Sequence, residues 1–387
     1  MTGLLQKITN SKGTIVYSYI YDSNDLPTRV TNAVGQYVQF SYNADYLVSK
    51  VTDPSGNEWM YTYDSNKMLK TVTSPGANPV TTTYFYEQSG HPSWLTGYAV
   101  NGSRRATYSY DSAGKVATSS RAGGEESESF VYGTNETNVT NALGQTVTYK
   151  FTTVNNSPMF AGQSRLGSST CPAAASEVHY NASGYKDYSV DWNGTRTTYV
   201  TDTQGRITQK VSASGTTSQL TQETAWTNYQ PQSVTLKDRF GTAYSQVAYA
   251  YTSGGAVAWL PLSTTWTDLT ANVQRTTSYS YAFYSNGTLN TVTESRSLPN
   301  AGAASSVSTY DALGNLVSLR NAAGHQVSWS GHNGLGLPAR MTDANGVATD
   351  YTYDAAGRLL TETVRLPSGD RQTMYAYDAD GHVTDVS

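Results

Sequence analysis

Three observations predict an all-β chain laid out as one long antiparallel meander. Glycines recur at Gly314, Gly324, Gly334, Gly346, Gly357, Gly369 and Gly381, ten to twelve residues apart. Most of them close a four-residue unit opened by Asp or Asn, as in Asp311-Ala-Leu-Gly314, Asn321-Ala-Ala-Gly324, Asp343-Ala-Asn-Gly346 and Asp354-Ala-Ala-Gly357. The intervening segments, such as Ala348-Thr-Asp-Tyr-Thr-Tyr353 and Arg358-Leu-Leu-Thr-Glu-Thr-Val364, are rich in Thr, Tyr, Val and Leu, which suit a pleated, half-buried surface. In each turn the Asp or Asn side chain is expected to accept amides two or three residues on, and Gly at the fourth position takes the positive φ of a type I turn with a bulge.

The N-terminal third repeats the pattern at double length. Tyr21-Asp22, Tyr42-Asn43, Tyr63-Asp64, Tyr86-Glu87, Tyr110-Asp111 and Tyr132-Gly133 lie 21 to 24 residues apart, and most close a Tyr-x-Tyr strand. Between them fall the alternate turns Asn32-Ala-Val-Gly35, Asp53-Pro-Ser-Gly56 and Asn141-Ala-Leu-Gly144. One full repeat is therefore two strands and two turns, and such a period is read as one continuous array. Residues 1–387 are taken as a single array, regular over 1–158 and again over 306–387. A small-residue insert is expected at about 160–176, and the stretch 216–296 is either longer hairpins or a local decoration. Ser295 to Ser305 is read as a loop. The first and last residues resemble half repeats, so the chain is expected to be a piece of a longer array.

Composition narrows the function classes. Charged residues make up 14% of the 387, against about 25% in ordinary globular chains, while Tyr supplies 31 and Gly 33. Low charge with abundant aromatics argues against disorder. A net charge of −4 with no basic run gives no reason to expect nucleic acid as partner. Cys171 is the only cysteine, so no internal disulfide forms. The first residues lack the apolar region of a signal peptide, and no stretch is long enough for a transmembrane helix.

The strings that imitate known chemistry fall in turns. Gly334-Leu-Gly-Leu-Pro-Ala339 looks like a dinucleotide fingerprint but has no βαβ context, and Gly334 reads as the turn glycine of its repeat. Asp378-Ala-Asp-Gly381-His382 looks like half a calcium loop without its twelfth-position acid. Among His91, His179, His325, His332 and His382, only His325 and His332 approach metal-ligand spacing, and a zinc site would need two more ligands. Cys171 beside Pro172 reads as loop packing. The pairs Asp22 with Asp25 and Glu125 with Glu126 belong to turns and polar tips. Asn101-Gly-Ser103, Asn138-Val-Thr140 and Asn193-Gly-Thr195 follow from a Thr- and Ser-rich composition. No catalytic, cofactor or metal residue is assigned, and no enzyme is expected.

A meander of thirty or more strands has to coil or close, because twisted open sheets rarely exceed about ten strands. With strands of about seven residues the strip would be roughly 23 Å wide. Aromatic ladders across neighbouring hairpins are expected to stabilise it.

Tyr310-Asp-Ala-Leu-Gly-Asn-Leu316 and Tyr353-Asp-Ala-Ala-Gly-Arg-Leu359, with the 20 to 24 residue period, resemble the YD repeats of the bacterial Rhs family. Related shells occur in the B and C components of insecticidal toxin complexes and in teneurins. The resemblance runs over nearly the whole chain and is weakest over 216–296. It implies a β-strip spiralling into a hollow shell that encloses a C-terminal toxic domain, in a secreted or cell-surface protein used in bacterial competition or host interaction. Its implied partners are the remaining repeats and the enclosed domain. Self-association through unpaired strand edges is a further expectation. Rhs relatives carry an aspartyl protease region marked by paired Asp-Pro-x-Gly elements; here only Asp53-Pro-Ser-Gly56 occurs, in an ordinary turn position, so no autoproteolysis is expected. The alternative reading is a surface binding module or adhesin taking carbohydrate or protein through aromatics near Trp226, Trp259 and Trp266.

Overall fold

In the computed structural model, residues 3–9, 15–167, 172–253, 260–298 and 302–387 are described. They form a 33-stranded antiparallel sheet that is not closed into a barrel. Strands pair with their neighbours in sequence, as Ile15–Tyr21 does with Pro27–Asn32 and Ala348–Tyr353 with Leu359–Arg365. Successive turns therefore alternate between the two long margins of the strip. The Tyr-Asp turns all fall on one margin, and the alternate turns fall on the other.

The turn chemistry explains the motif. Asp22 Oδ1 accepts the amides of Asn24 at 2.8 Å and Leu26 at 3.0 Å, and Asp354 Oδ1 does the same for Ala356 and Arg358. The accepted amides are thus two and four residues on, because the left-handed fourth residue swings the fifth amide back to the carboxylate. Gly357 takes that position at φ 85°, whereas Asp25, Tyr46 and Lys67 do so without glycine at 63–64°. The register slips by one at Tyr21 and Tyr353, which is the bulge.

The tyrosine at the turn, bulged at Tyr42, Tyr63 and Tyr377 but not at Tyr132, reaches back one repeat. Tyr42 Oη donates to Pro27 O at 2.7 Å, Tyr63 to Val48 O at 2.8 Å, Tyr132 to Val116 O at 2.8 Å and Tyr377 to Leu359 O at 2.7 Å. Each acceptor is the first residue of the strand leaving the preceding Tyr-Asp turn. Burial raises the phenol pKa of Tyr42, Tyr63 and Tyr132, which keeps the donor proton in place. The Tyr and the Asp of one motif therefore do different work: Asp shapes its own turn, and Tyr ties that turn to the previous repeat.

Tyrosine rings meet both other rings and cations. Tyr19 and Tyr21 lie 6.5 Å apart along one strand, as do Tyr249 and Tyr251. Across strands the partner is another ring, as where Tyr149 lies 6.5 Å from Phe160, or Arg or Lys, as where Arg29 covers Tyr37 at 4.0 Å and Arg196 covers Tyr188 at 3.8 Å. The expected cross-strand aromatic contacts thus occur, as between Phe151 and Phe160, interleaved with cation–π contacts.

Three expectations change. The insert is not a break in the sheet: Ser157–Arg165 pairs with Ala174–Tyr180, leaving only 166–173 as a longer connection, of which 168–171 lie outside the described residues. The stretch 216–296 resolves into longer hairpins, with strands of eight to eleven residues such as Ala243–Tyr251 and Val273–Phe283. The loop expected over Ser295 to Ser305 is shorter, because Leu289–Ser297 and Ala303–Tyr310 pair through Ser295↔Ser305 and Ser297↔Ala303, and 299–301 lie outside the described residues. Serine and alanine lowered the apparent strand propensity there, and pairing with a neighbour overrode it.

The strip has almost no closed core. Ala99, Val100 and Ala106 are the only buried apolar residues among those described, and the buried polar set is entirely threonine. The accessible surface is 23209 Å², against roughly 15,000 Å² for a compact monomer of this mass. Stability rests instead on the backbone ladder, the Tyr latches and hydroxyl pairs such as Thr352–Thr361 at 2.7 Å.

The chain divides into two compact units. Unit 1 comprises Met1–Arg105, Thr252–Leu260 and Ser278–Ser387; unit 2 comprises Ala106–Tyr251 and Pro261–Thr277.

Candidate functional site

The feature of unit 1 that sequence reading did not reach is a seam between its N-terminal and C-terminal stretches. Gln36 Nε2 donates to Gly334 O at 3.4 Å. Gly334 sits so close to the Asp53 turn that a Cβ would lie 2.5 Å from the carbonyl of Pro54. Gly76 faces Ala355, where an added Cβ would meet the alanine Cβ at 3.3 Å. Arg105 grips Asp380 with two bonds, at 3.0 Å from Nε and 2.6 Å from Nη2.

These contacts share one geometry. In each, the margin opposite the Tyr-Asp turns, within 32–105, meets the Tyr-Asp margin of 333–380. The partners are separated by 298 residues at Gln36 and Gly334, 280 at Pro54 and Gly334, 279 at Gly76 and Ala355, and 275 at Arg105 and Asp380. The two stretches therefore run alongside each other in the same direction and in register, hairpin tip against hairpin tip.

The strings singled out in the sequence belong to this architecture. Gly334 is not the turn glycine: that role falls to Gly336, at φ 78°, whose amide bonds Asn333 O. Gly334 is the place where the seam needs no side chain. Asp378, Asp380 and His382 do gather within 4.8 Å. Yet Asp378 Oδ1 accepts the amides of Asp380 and His382, Asp378 Oδ2 lies 3.3 Å from His382 Nδ1, and Asp380 holds Arg105. The backbone bond from His382, foremost, keeps the Asp378 carboxyl below the ordinary range.

The other candidates are dispersed. His325 and His332 flank opposite ends of the strand Gln326–Ser330, on opposite margins. His179 pairs with Asp187 at 3.1 Å and stacks on Tyr188, and His91 stacks on Trp94 at 3.7 Å. Asp22 shapes its turn while Asp25 supplies the left-handed residue; Glu126 pairs with Arg121, and the Glu125 carbonyl takes the Arg121 amide. Asp53 is a turn acceptor at the seam. Trp226 and Trp266 direct their indole N–H groups to Ile207 O and Ser245 Oγ, with Arg206 and Arg275 near their faces. Cys171 and Trp259 lie outside the described residues.

One charged cluster is more than a turn. Asp350 receives Arg340 and Arg365 from the two flanking strands, and Arg365 also pairs with Asp370. Arg340 foremost, then Arg365, holds the Asp350 carboxyl at about 2. The unfolded value is about 3.9, so this stabilisation is complete above pH 4 and is lost as pH falls through 2. Asp350→Asn is expected to cost about 1–2 kcal/mol at neutral pH and almost nothing near pH 2, as read by denaturant unfolding at both pH values. An equal penalty at both would show that the ion pairs contribute nothing.

Comparison with known proteins adds the repeat's family. The teneurin YD-shell model matches residues 1–140, and the RHS repeat model matches residues 332–371. Those two stretches thus carry YD-shell and RHS-repeat sequence. No curated protein matches. Among solved structures, the chain is similar to TcdB2-TccC3 at 12% identity and TM-score 0.36, covering 98% of this chain and 29% of that one. It is similar also to the Photorhabdus luminescens Tc holotoxin pore with the TccC3 D651A substitution, at 11% identity and TM-score 0.34, covering 96% of this chain and 30% of that one. The chain thus spans under a third of the length of these proteins. Among the described residues no helix is long and apolar enough to cross a membrane.

Proposed function

We propose that this YD-repeat chain is a non-catalytic wall segment of an Rhs-type toxin shell, which encloses and shields a C-terminal toxic domain for delivery in bacterial competition or host interaction. The observation that carries this reading is the seam of unit 1. A lone β-strip separates nothing, whereas a strip whose returning stretch abuts itself tip to tip, with glycine at the closest approach and Arg105 clamping Asp380, forms a continuous surface. The shortage of packed core is also what a wall one sheet thick requires. Its partners are then the remaining repeats and the enclosed domain, and its place is outside the producing cell or on its surface.

The test uses the full-length gene product. A domain following the repeats is expected to resist added protease while the shell is intact, and to be digested once the seam is opened by Gly334→Ala. Digestion at one rate in both proteins, or a full-length product with no further domain, would overturn the reading.

A further inference from the structure

Where asparagine opens a turn, alanine comes next at Asn32, Asn43, Asn141, Asn181 and Asn321. At Asn333 the next residue is Gly334. The exception is imposed from afar, because an added Cβ at Gly334 would lie 2.5 Å from the carbonyl of Pro54. It also carries a chemical consequence: with no side chain on the following residue, the next backbone nitrogen can approach the asparagine carboxamide closely. We propose that Asn333–Gly334 is a self-modification site, at which Asn333 loses ammonia and its isoaspartyl product parts the seam of unit 1.

The turn presents both reacting groups. Its backbone bonds run from the Asn333 amide to Leu337 O and from the Gly336 amide to Asn333 O, so neither engages the Gly334 nitrogen. Asn333 Oδ1 accepts the amides of Leu335 and Leu337, each at 3.0 Å. These two donors polarise the carboxamide, and they hold the negative charge that gathers on Oδ1 as a nitrogen adds to Cγ. Asn333 is exposed, so water and hydroxide reach it.

The reaction needs neither oxidant nor reductant, since only water enters and ammonia leaves. Hydroxide takes the Gly334 amide proton, the freed nitrogen bonds to Asn333 Cγ, and the side-chain nitrogen departs with a proton from water as ammonia. A cyclic imide remains, which one water opens. Addition at Cγ breaks the new bond and gives aspartate, which is harmless here because Asp343 and Asp354 open equivalent turns. Addition at the main-chain carbonyl breaks the original peptide bond instead and leaves Gly334 joined through Cγ. That isoaspartyl form lengthens the main chain by one methylene where Gly334 lies against Pro54, and it removes the Oδ1 acceptor on which the turn depends.

Asn193, Asn286 and Asn345 also precede glycine and set the comparison. They stand third in their turns, and the following amides are tied to Asp191 O at 3.0 Å, Tyr284 O at 2.9 Å and Asp343 O at 3.0 Å. Their attacking nitrogens are already engaged, so they should react more slowly.

The inference rests on the seam, and its test is separate from that of the wall reading. The whole chain is held at neutral and at mildly alkaline pH, and its digests are followed by mass spectrometry, with isoaspartate scored by enzymatic methylation of its free carboxyl. Asn333 should lose ammonia about tenfold or more faster than Asn193, Asn286 and Asn345, well within what a donor to a developing oxyanion supplies. The rate should rise with pH, because the attacking nitrogen must shed its proton. Amide exchange at Ser55 should quicken in step with isoaspartate at 333, whereas Asn333→Asp should release no ammonia there and keep Ser55 slow. Equal rates at all four asparagines overturn the modification site. Isoaspartate at 333 with unchanged exchange at Ser55 overturns its action on the seam, and neither of these results touches the wall reading. Open exchange at Ser55 in fresh, unmodified protein overturns the seam itself, and with it both this inference and the observation that carries the wall.

Discussion

Alanine at position 334 is expected to part the seam of unit 1 while leaving the local turn sound. Its Cβ would fall 2.5 Å from the carbonyl carbon and oxygen of Pro54 and 2.6 Å from the Ser55 nitrogen. All three are backbone atoms, so no rotamer change can relieve the overlap, and the two turns must back away from each other. That movement lengthens the Gln36 to Gly334 bond, already 3.4 Å, and draws on the Ala355 and Arg105 contacts farther along. Gly334 does not use the left-handed conformation, so alanine would be harmless or slightly favourable in an isolated turn. The loss, about 1–3 kcal/mol, would therefore report on the seam alone. Amide exchange at Ser55 and in the Asp354 turn should quicken, with little change in the turns of unit 2. Gly336→Ala is the control: it strains a residue at φ 78° and should loosen its own turn without first parting the seam. Unchanged exchange at Ser55 in Gly334→Ala would mean that the two stretches do not hold each other in solution.

Gly334 also marks the limit of what the sequence discloses. The meander, the Asp turns and the bulge are local consequences of residue type, and a window of four to seven residues suffices to read them. The division of the strip into two chemically different margins is legible too, since a strict alternation of turns admits no other arrangement. Counting glycines by period, however, assigns Gly334 to the turn and passes over Gly336, because two glycines two residues apart serve different ends. One satisfies backbone torsion, which is local. The other makes room for Pro54, a residue 280 positions away, and nothing in the local pattern signals that distance. The same reason hides the Arg105 to Asp380 clamp, where each partner looks like an ordinary solvated charge. The loop expected over Ser295 to Ser305 shrinks for a different reason. Its Ser and Ala run has weak strand propensity, but neighbouring strands dictate pairing across a continuous ladder. Tyrosine's latch lies between these cases: the recurrence of Tyr before Asp is plain, yet the carbonyl that it binds is one repeat back, so the motif is visible and its purpose is not.

Gly162→Ala should be the most damaging single substitution within unit 2. Gly162 stands at φ 137°, a conformation that side-chain-bearing residues rarely adopt, and an added Cβ would lie 2.2 Å from Ser176 O and 3.0 Å from Glu177 Cα. The cause is a bulge: Lys150 pairs with Gly162 and Phe151 with Phe160, so one strand carries an extra residue, and the ladder to Glu177 continues past it only by close approach. Strain and overlap together should cost roughly 3–5 kcal/mol, more than the local ladder can absorb. The strand Ala174–Tyr180 would have to lift away, losing the Tyr180 latch to Phe160 O at 2.9 Å and exposing the Phe151–Phe160 edge contact. In an array stabilised mainly by neighbour-to-neighbour pairing, that damage should stay near its source. Amides of Ser176 to Tyr180 are expected to exchange near the rate of an open strand, while those of residues 348–365 keep their protection. Global loss of protection instead would show that the strip folds as one cooperative body, with the seam and ladder coupled. Preserved protection at Ser176 would show that the bulge relaxes to accept a side chain.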